Sequence, residues 1–242
     1  MLARSLAVLV TANVLNNRLA PRLAPITSAV ATGALVAMAR RSGLTWQELG
    51  FTRGATGAKV GGALALAVAA VYTAGIALPR TRPLFHDERA LSLSRVRALE
   101  EALLQVPLGT VLLEEVGFRG ALYGMLRRTH GTAAAVAVSS GLFGLWHILP
   151  AVDMARANPA LGALTAGESP RRLDTARVIA GSVVSTAVAG TFFCELRRRG
   201  GLLAPSLLHL ATNSLGYLFA RIAPAAAVTA PPGSSPGRPA RP

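Results

Sequence analysis

The chain has 242 residues, of which 52% are hydrophobic and only 15% charged, and it carries a formal net charge of +14. Its mean hydropathy of +0.45 and its long runs of Ala, Leu, Val and Gly exclude an ordinary soluble globule. They predict an all-α polytopic membrane protein, a bundle of about six to eight transmembrane helices.

In a soluble protein the positive charge would suggest nucleic acid. Here the arginines cluster between apolar runs, where anionic headgroups neutralise them, so the expected partner is the lipid bilayer and not nucleic acid. The single cysteine, Cys194, excludes an intramolecular disulfide and any cysteine-built metal site, and its apolar surroundings predict a buried packing thiol.

Residues 1–97 read as N-terminal membrane helices and connectors. Met1 to Ala20 resembles a signal peptide, but Asn13, Asn16 and Asn17 interrupt it and no convincing cleavage site follows, which favours a retained first helix. The apolar segments 5–20 and 26–39 are each shorter than the roughly 20 residues that span a bilayer. Arg18, Pro21, Arg22 and Pro25 separate them, and tilting, a hairpin or a single broken crossing are all open. The connector 40–53 offers Trp46, Leu49 and Phe51 to the headgroup layer. Residues 58–78 then make a clear span, with Gly57, Gly61 and Gly62 allowing close approach of another helix, and 80–97 returns to a charged surface.

Residues 98–222 form the second expected unit. A helix over 98–126 carries Pro107, which should kink it about two turns before Glu114 and Glu115; Gly117, Gly120 and Gly124 give it a small face. Arg127, Arg128 and His130 close it, with His130 in an exposed loop. A span over 132–149 carries His147 near its end, where Pro150 stops it. A long polar loop covers 150–177, a further span 178–194, and a last span, about 201–222, holds His209 and Asn213. Residues 223–242, rich in Pro, Ala, Gly and Ser, predict a disordered tail. Placing the arginine-dense connectors 40–59, 127–131 and 197–200 on one side gives a consistent alternation, though the opposite loops also hold many arginines.

The chemistry concentrates in Leu113-Glu-Glu-Val-Gly-Phe-Arg119, because ionisable groups in a bilayer interior are costly and usually mark a working site. Glu115 and Arg119 stand four residues apart on one helix face with the acid N-terminal, so each can neutralise the other. Glu114 points about 100° away, where poor hydration and no fixed cation suit a general base. The plainer alternative is a buried Glu–Arg pair that only locks packing, with Glu114 facing a wet crevice. Two further spans add Phe143-Gly-Leu-Trp-His147 and His209-Leu-Ala-Thr-Asn213, each with its end residues on one face. A lone histidine on an apolar helix is more often a packing residue than a catalyst, but polar groups on three separate spans are harder to dismiss.

These three patterns, in this order, resemble the EExxxR, FxxxH and HxxxN motifs of the CPBP family, the CAAX prenyl proteases and bacteriocin-processing enzymes also called Abi proteins; the resemblance covers about residues 100–219. It implies an intramembrane endopeptidase. Carried over, Glu114 with His147 would activate the water that attacks the scissile carbonyl, His209 with Asn213 would hold the oxyanion, and Glu115 and Arg119 would hold the site's geometry. A zinc site on Glu114, His147 and His209 competes with this mechanism, since two histidines and a glutamate leave a position open for water. It gives Asn213 no task, so the expectation is that no cofactor is required.

A non-catalytic binding or immunity protein on the same fold, and a transporter or proton relay, are the readings from other classes. The expected substrate is a peptide or membrane protein, with prenylated C-terminal motifs and leader peptides both open, in an integral membrane protein of a prokaryotic cytoplasmic membrane.

Overall fold

The computed structural model describes residues 1–157 and 171–223. Among the described residues every regular element is a helix and none is a strand. Four segments are long and apolar enough to cross a membrane: Pro21–Arg41, Gly54–Ala77, Arg95–Arg156 and Thr175–Gly200. The chain is thus an all-α polytopic membrane protein, as the hydropathy predicts.

Helices α1 (Leu2–Val14) and α2 (Ala24–Arg41) pack against each other, which selects the hairpin among the arrangements open to the two short segments. Between them a π-helical turn, Leu15–Leu19, ends where Pro21 starts a new short helix. The asparagines that interrupt the first apolar run are its anchors. Asn13 donates to the Trp146 carbonyl, and Asn16 to Ser28 Oγ and the Gly109 carbonyl.

The connector after α2 behaves differently from the expected headgroup segment. Trp46 and Phe51 are exposed and stack edge to face, with the Arg40 guanidinium over Trp46, but Leu44 and Leu49 are fully buried in the main core. Thr45 and Glu48 close a short capping box: the Thr45 amide donates to Glu48 Oε2, and the Glu48 amide to Thr45 Oγ1. The Thr45 amide, its hydroxyl, and then the Arg128 and Arg127 charges hold the Glu48 carboxyl below the ordinary carboxylate range.

Helix α3 (Gly54–Ala77) runs alongside the last helix. A Cβ at Gly57 would strike the Gly200 carbonyl and one at Gly61 would lie 2.8 Å from the Ala204 carbonyl, so both glycines are required by close approach. Gly62, expected to share that role, faces open space. The charged return contains the short helix α4 (Glu88–Leu91), capped by Asp87, and leads to α5 (Arg95–Glu100), capped by Ser94.

From α5 the chain continues as π-helical stretches over Glu101–Val111 and Leu113–Leu122, then as α6 (Tyr123–Trp146). Proline 107 therefore lies inside a widened, π-helical stretch. In a π-helix the missing Pro107 N–H would have served the carbonyl five residues back, that of Ala102, and Ser214 Oγ donates to that carbonyl at 2.7 Å. Ser28 Oγ caps the Gly109 carbonyl in the same stretch.

Gly131, at φ 82° and ψ 175°, folds α6 back on itself, so Glu114 and Phe118 meet Trp146 from across the turn. His130 beside it is exposed, as expected. The loop expected over 150–177 is helical where it is described: α7 (Ile148–Ala157) starts before Pro150, and α8 (Arg171–Gly200) begins well before residue 178. Proline 150 lies in the first turn of α7, where its lost N–H has no intrahelical partner, and the stop falls at His147 instead. Helix α9 (Leu203–Ile222) completes the bundle.

The main core joins Leu9, Leu35, Leu44 and Leu49 to Phe118, Phe143 and Trp146, so the two units expected at 1–97 and 98–222 share one interior. The tail expected over 223–242 lies, from residue 224, outside the described residues.

Candidate active site

The wide helical turn over Leu113–Leu122 buries both acids and Arg119; Glu115 and Arg119 are each 1% exposed and Glu114 4%. The expected pair forms, with Arg119 Nη1 3.3 Å from Glu115 Oε1. The same Nη1 donates to the Glu114 carbonyl at 3.2 Å, which a π-helical turn brings within reach five residues back. The guanidinium lies over the Phe143 ring at 3.7 Å and the Phe193 ring at 5.0 Å. Two aromatic faces thus replace the water that a buried cation loses.

Phe143 also meets the His147 ring edge to face at 4.5 Å, and His147 Nδ1 lies 2.8 Å from the Phe143 carbonyl. A carbonyl only accepts, so Nδ1 carries the proton and Nε2 is the free atom of neutral His147. It lies 3.9 Å from Glu114 Oε2. On α9, His209 Nδ1 lies 2.7 Å from Glu115 Oε1, and its Nε2 lies 3.6 Å from the same Glu114 Oε2. One carboxylate oxygen of Glu114 therefore faces the Nε2 atoms of both histidines, while its partner oxygen accepts from Trp146 Nε1 at 2.8 Å.

Of the six residues singled out in the sequence, Glu114, Glu115, Arg119, His147 and His209 form one contact network, in which the two histidines face Glu114 Oε2. Asn213 sits one turn beyond His209 on α9, half-buried and without a side-chain hydrogen bond among the described residues. Sequence reasoning missed Trp146, Asn13 and Phe193. Trp146 carried a signal, since a buried indole N–H needs an acceptor and none exists among its own apolar neighbours.

At 3.6 and 3.9 Å, Glu114 Oε2 is too far from either imidazole nitrogen for a direct hydrogen bond. Glu114 Oε2 is buried with no hydrogen-bond partner, as are Glu115 Oε2 and Arg119 Nη2. The Glu114 oxygen is therefore poised for a proton donor from outside the chain. Among the described residues no group of three His, Cys, Asp or Glu side chains stands at metal-binding spacing.

The three elements that supply these residues lie in a segment with known relatives. Residues 101–215 match the family model described as type II CAAX prenyl endopeptidase Rce1-like. No curated protein and no solved structure gives a significant match to the chain.

Proposed function

Because residues 101–215 match the family model described as type II CAAX prenyl endopeptidase Rce1-like, we propose that the chain is a CAAX-type intramembrane protease and that it hydrolyses its substrate with a water held at Glu114. The observation that carries this reading is the shared focus of Glu114 Oε2, His147 Nε2 and His209 Nε2.

Peptide hydrolysis needs a base for the water, donors for the developing oxyanion and a proton for the leaving amine. Glu114 takes a proton from the water as the water oxygen bonds to the scissile carbonyl carbon. His147, the more exposed imidazole, stands where a substrate carbonyl arrives and hands on the proton as the carbon–nitrogen bond breaks, giving a free carboxylate and an amine. His209 is oriented by the contact of its Nδ1 with the Glu115 carboxylate, so that Nε2, when it carries a proton, can donate to the oxyanion. Asn213 supplies a neutral donor from the next turn.

The donor set also suits zinc in type: Glu114, His147 and His209 would hold it, and it would supply Lewis-acid polarisation of the carbonyl and a more acidic water. The metal-free water is preferred because it gives Asn213, one turn beyond His209, a task as a donor. Metal analysis of the purified protein followed by chelation decides between them, full activity without bound metal supporting the glutamate reading. The overall assignment is tested by Glu114→Gln and His147→Ala in a cleavage assay, where turnover near wild type would sink it.

The substrate is a peptide or protein in the membrane. We place the protein in a prokaryotic cytoplasmic membrane, with prenylated C-terminal motifs and leader peptides as the substrate classes to be compared. Comparing membrane peptides from cells carrying the wild-type and Glu114→Gln proteins identifies which accumulates uncut.

A further inference from the structure

A buried hydrogen-bond chain reaches the candidate base from outside the family-matched segment. Asn17 Nδ2 donates to Asn13 Oδ1 at 3.1 Å, which fixes the orientation of the Asn13 amide. Asn13 Nδ2 then donates to the Trp146 carbonyl at 2.9 Å, and Trp146 Nε1 donates to Glu114 Oε1 at 2.8 Å. Asn13 and Trp146 are both buried, and the indole is wedged edge to face against Phe118 at 5.3 Å.

Each link has a definite effect. The Trp146 carbonyl belongs to the last turn of α6, where carbonyls lack intrahelical donors, so Asn13 satisfies it and fixes where the helix gives way to His147. The indole N–H occupies one oxygen of Glu114, and the carboxylate then presents its other oxygen alone to His147 and His209. Without that tether the carboxylate could turn either oxygen, or neither, toward the imidazoles.

We infer that Trp146 is a positioning residue for Glu114, and that Asn13, on the first helix, positions Trp146 and His147 together. The inference rests on the reading of Glu114 as the base; the helix that carries Asn13 is thereby part of the working site and not only an additional membrane anchor.

Two measurements test it. In a Trp46→Phe background Trp146 is the only tryptophan, and its resonance Raman N–H band should report a strong hydrogen bond that weakens in Glu114→Gln. This arm needs no activity. In the cleavage assay Trp146→Phe, which keeps an aromatic ring and removes the N–H, should lower kcat by about 10–100-fold with little change in KM. Asn13→Leu should lower kcat less, and the double variant should lose less than the product of the two single fold-losses, because Asn13 acts in part through Trp146. A Raman band insensitive to Glu114→Gln, or additive losses in the double variant, overturns the inference. If the band shifts but Glu114→Gln still cleaves at the wild-type rate, the catalytic reading falls and the positioning role falls with it.

Discussion

Glu115 Oε1 lies 2.7 Å from His209 Nδ1 and 3.3 Å from Arg119 Nη1, so a single buried oxygen ties the π-helical turn to the last helix. The adjacent acids consequently divide their tasks. Glu114 faces the two free imidazole nitrogens, and Glu115 orients one of those rings while balancing the buried guanidinium.

The two glutamates should respond differently to the same change. Glu115→Gln leaves Arg119 buried without its counter-charge and should destabilise the protein by about 3–5 kcal/mol. Glu114→Gln should leave folding nearly intact and reduce turnover by about 10²–10⁴-fold. Thermal unfolding in detergent and cleavage kinetics on the two variants separate the effects, and equal unfolding temperatures would contradict the division.

Phe143 serves two neighbours, the Arg119 guanidinium at 3.7 Å and the His147 ring at 4.5 Å. Phe143→Leu keeps an apolar side chain but removes the π face, with an expected stability loss of about 1–2 kcal/mol from the lost cation–π contact. Turnover should fall too, since His147 loses its edge contact; Phe143→Tyr should retain both properties better than Leu.

Close backbone approach makes only some glycines indispensable. Gly57→Val would drive a branched side chain into the Gly200 carbonyl, costing about 1–3 kcal/mol or more. Gly62→Ala, with nothing within 4 Å of its Cβ position, should be neutral or mildly stabilising because alanine favours helix. Unfolding midpoints of the two variants should bracket wild type.

Three arginine-dense connectors meet at one end of the bundle. Arg128 donates to the Ser42 carbonyl, Arg53 to the Arg198 and Arg199 carbonyls, and the buried Arg197 to the Glu48 and Arg119 carbonyls. At the opposite end Arg18 pairs with Asp153, and Arg221 holds the Ala90 and Leu93 carbonyls. Cysteines introduced at Arg41 and Arg127 should therefore label from the same face of sealed vesicles, and one at Arg156 from the other. Native Cys194 is buried and should stay silent. Labelling of all three positions from one face would refute the arrangement.

Much of this was legible in the chain itself. Hydropathy gave the helical class, and the spacing of Glu115 and Arg119 gave their pairing, because contacts between near neighbours on one helix are local. The convergence of Glu114, His147 and His209 was suggested only by motif order, since nothing in the spacing within each span says which way neighbouring helices face.

Proline 107 and the three early asparagines have partners that no local reading supplies. A proline inside a helix removes one donor, and what takes that donor's place is not written in the local sequence; here it is Ser214, more than a hundred residues away. Likewise the acceptor of Asn13, the Trp146 carbonyl, belongs to another helix.

The sequence by itself determined the helical membrane class, the buried Glu–Arg pair and the identity of the chemically able side chains, all set by composition and short-range periodicity. Only the tertiary structure decided which oxygen of Glu114 meets the imidazoles, that Glu115 holds His209, and that the first helix reaches the site through Asn13 and Trp146. Those choices depend on how buried donors and acceptors from distant segments satisfy one another where water is excluded, and no local pattern encodes that matching.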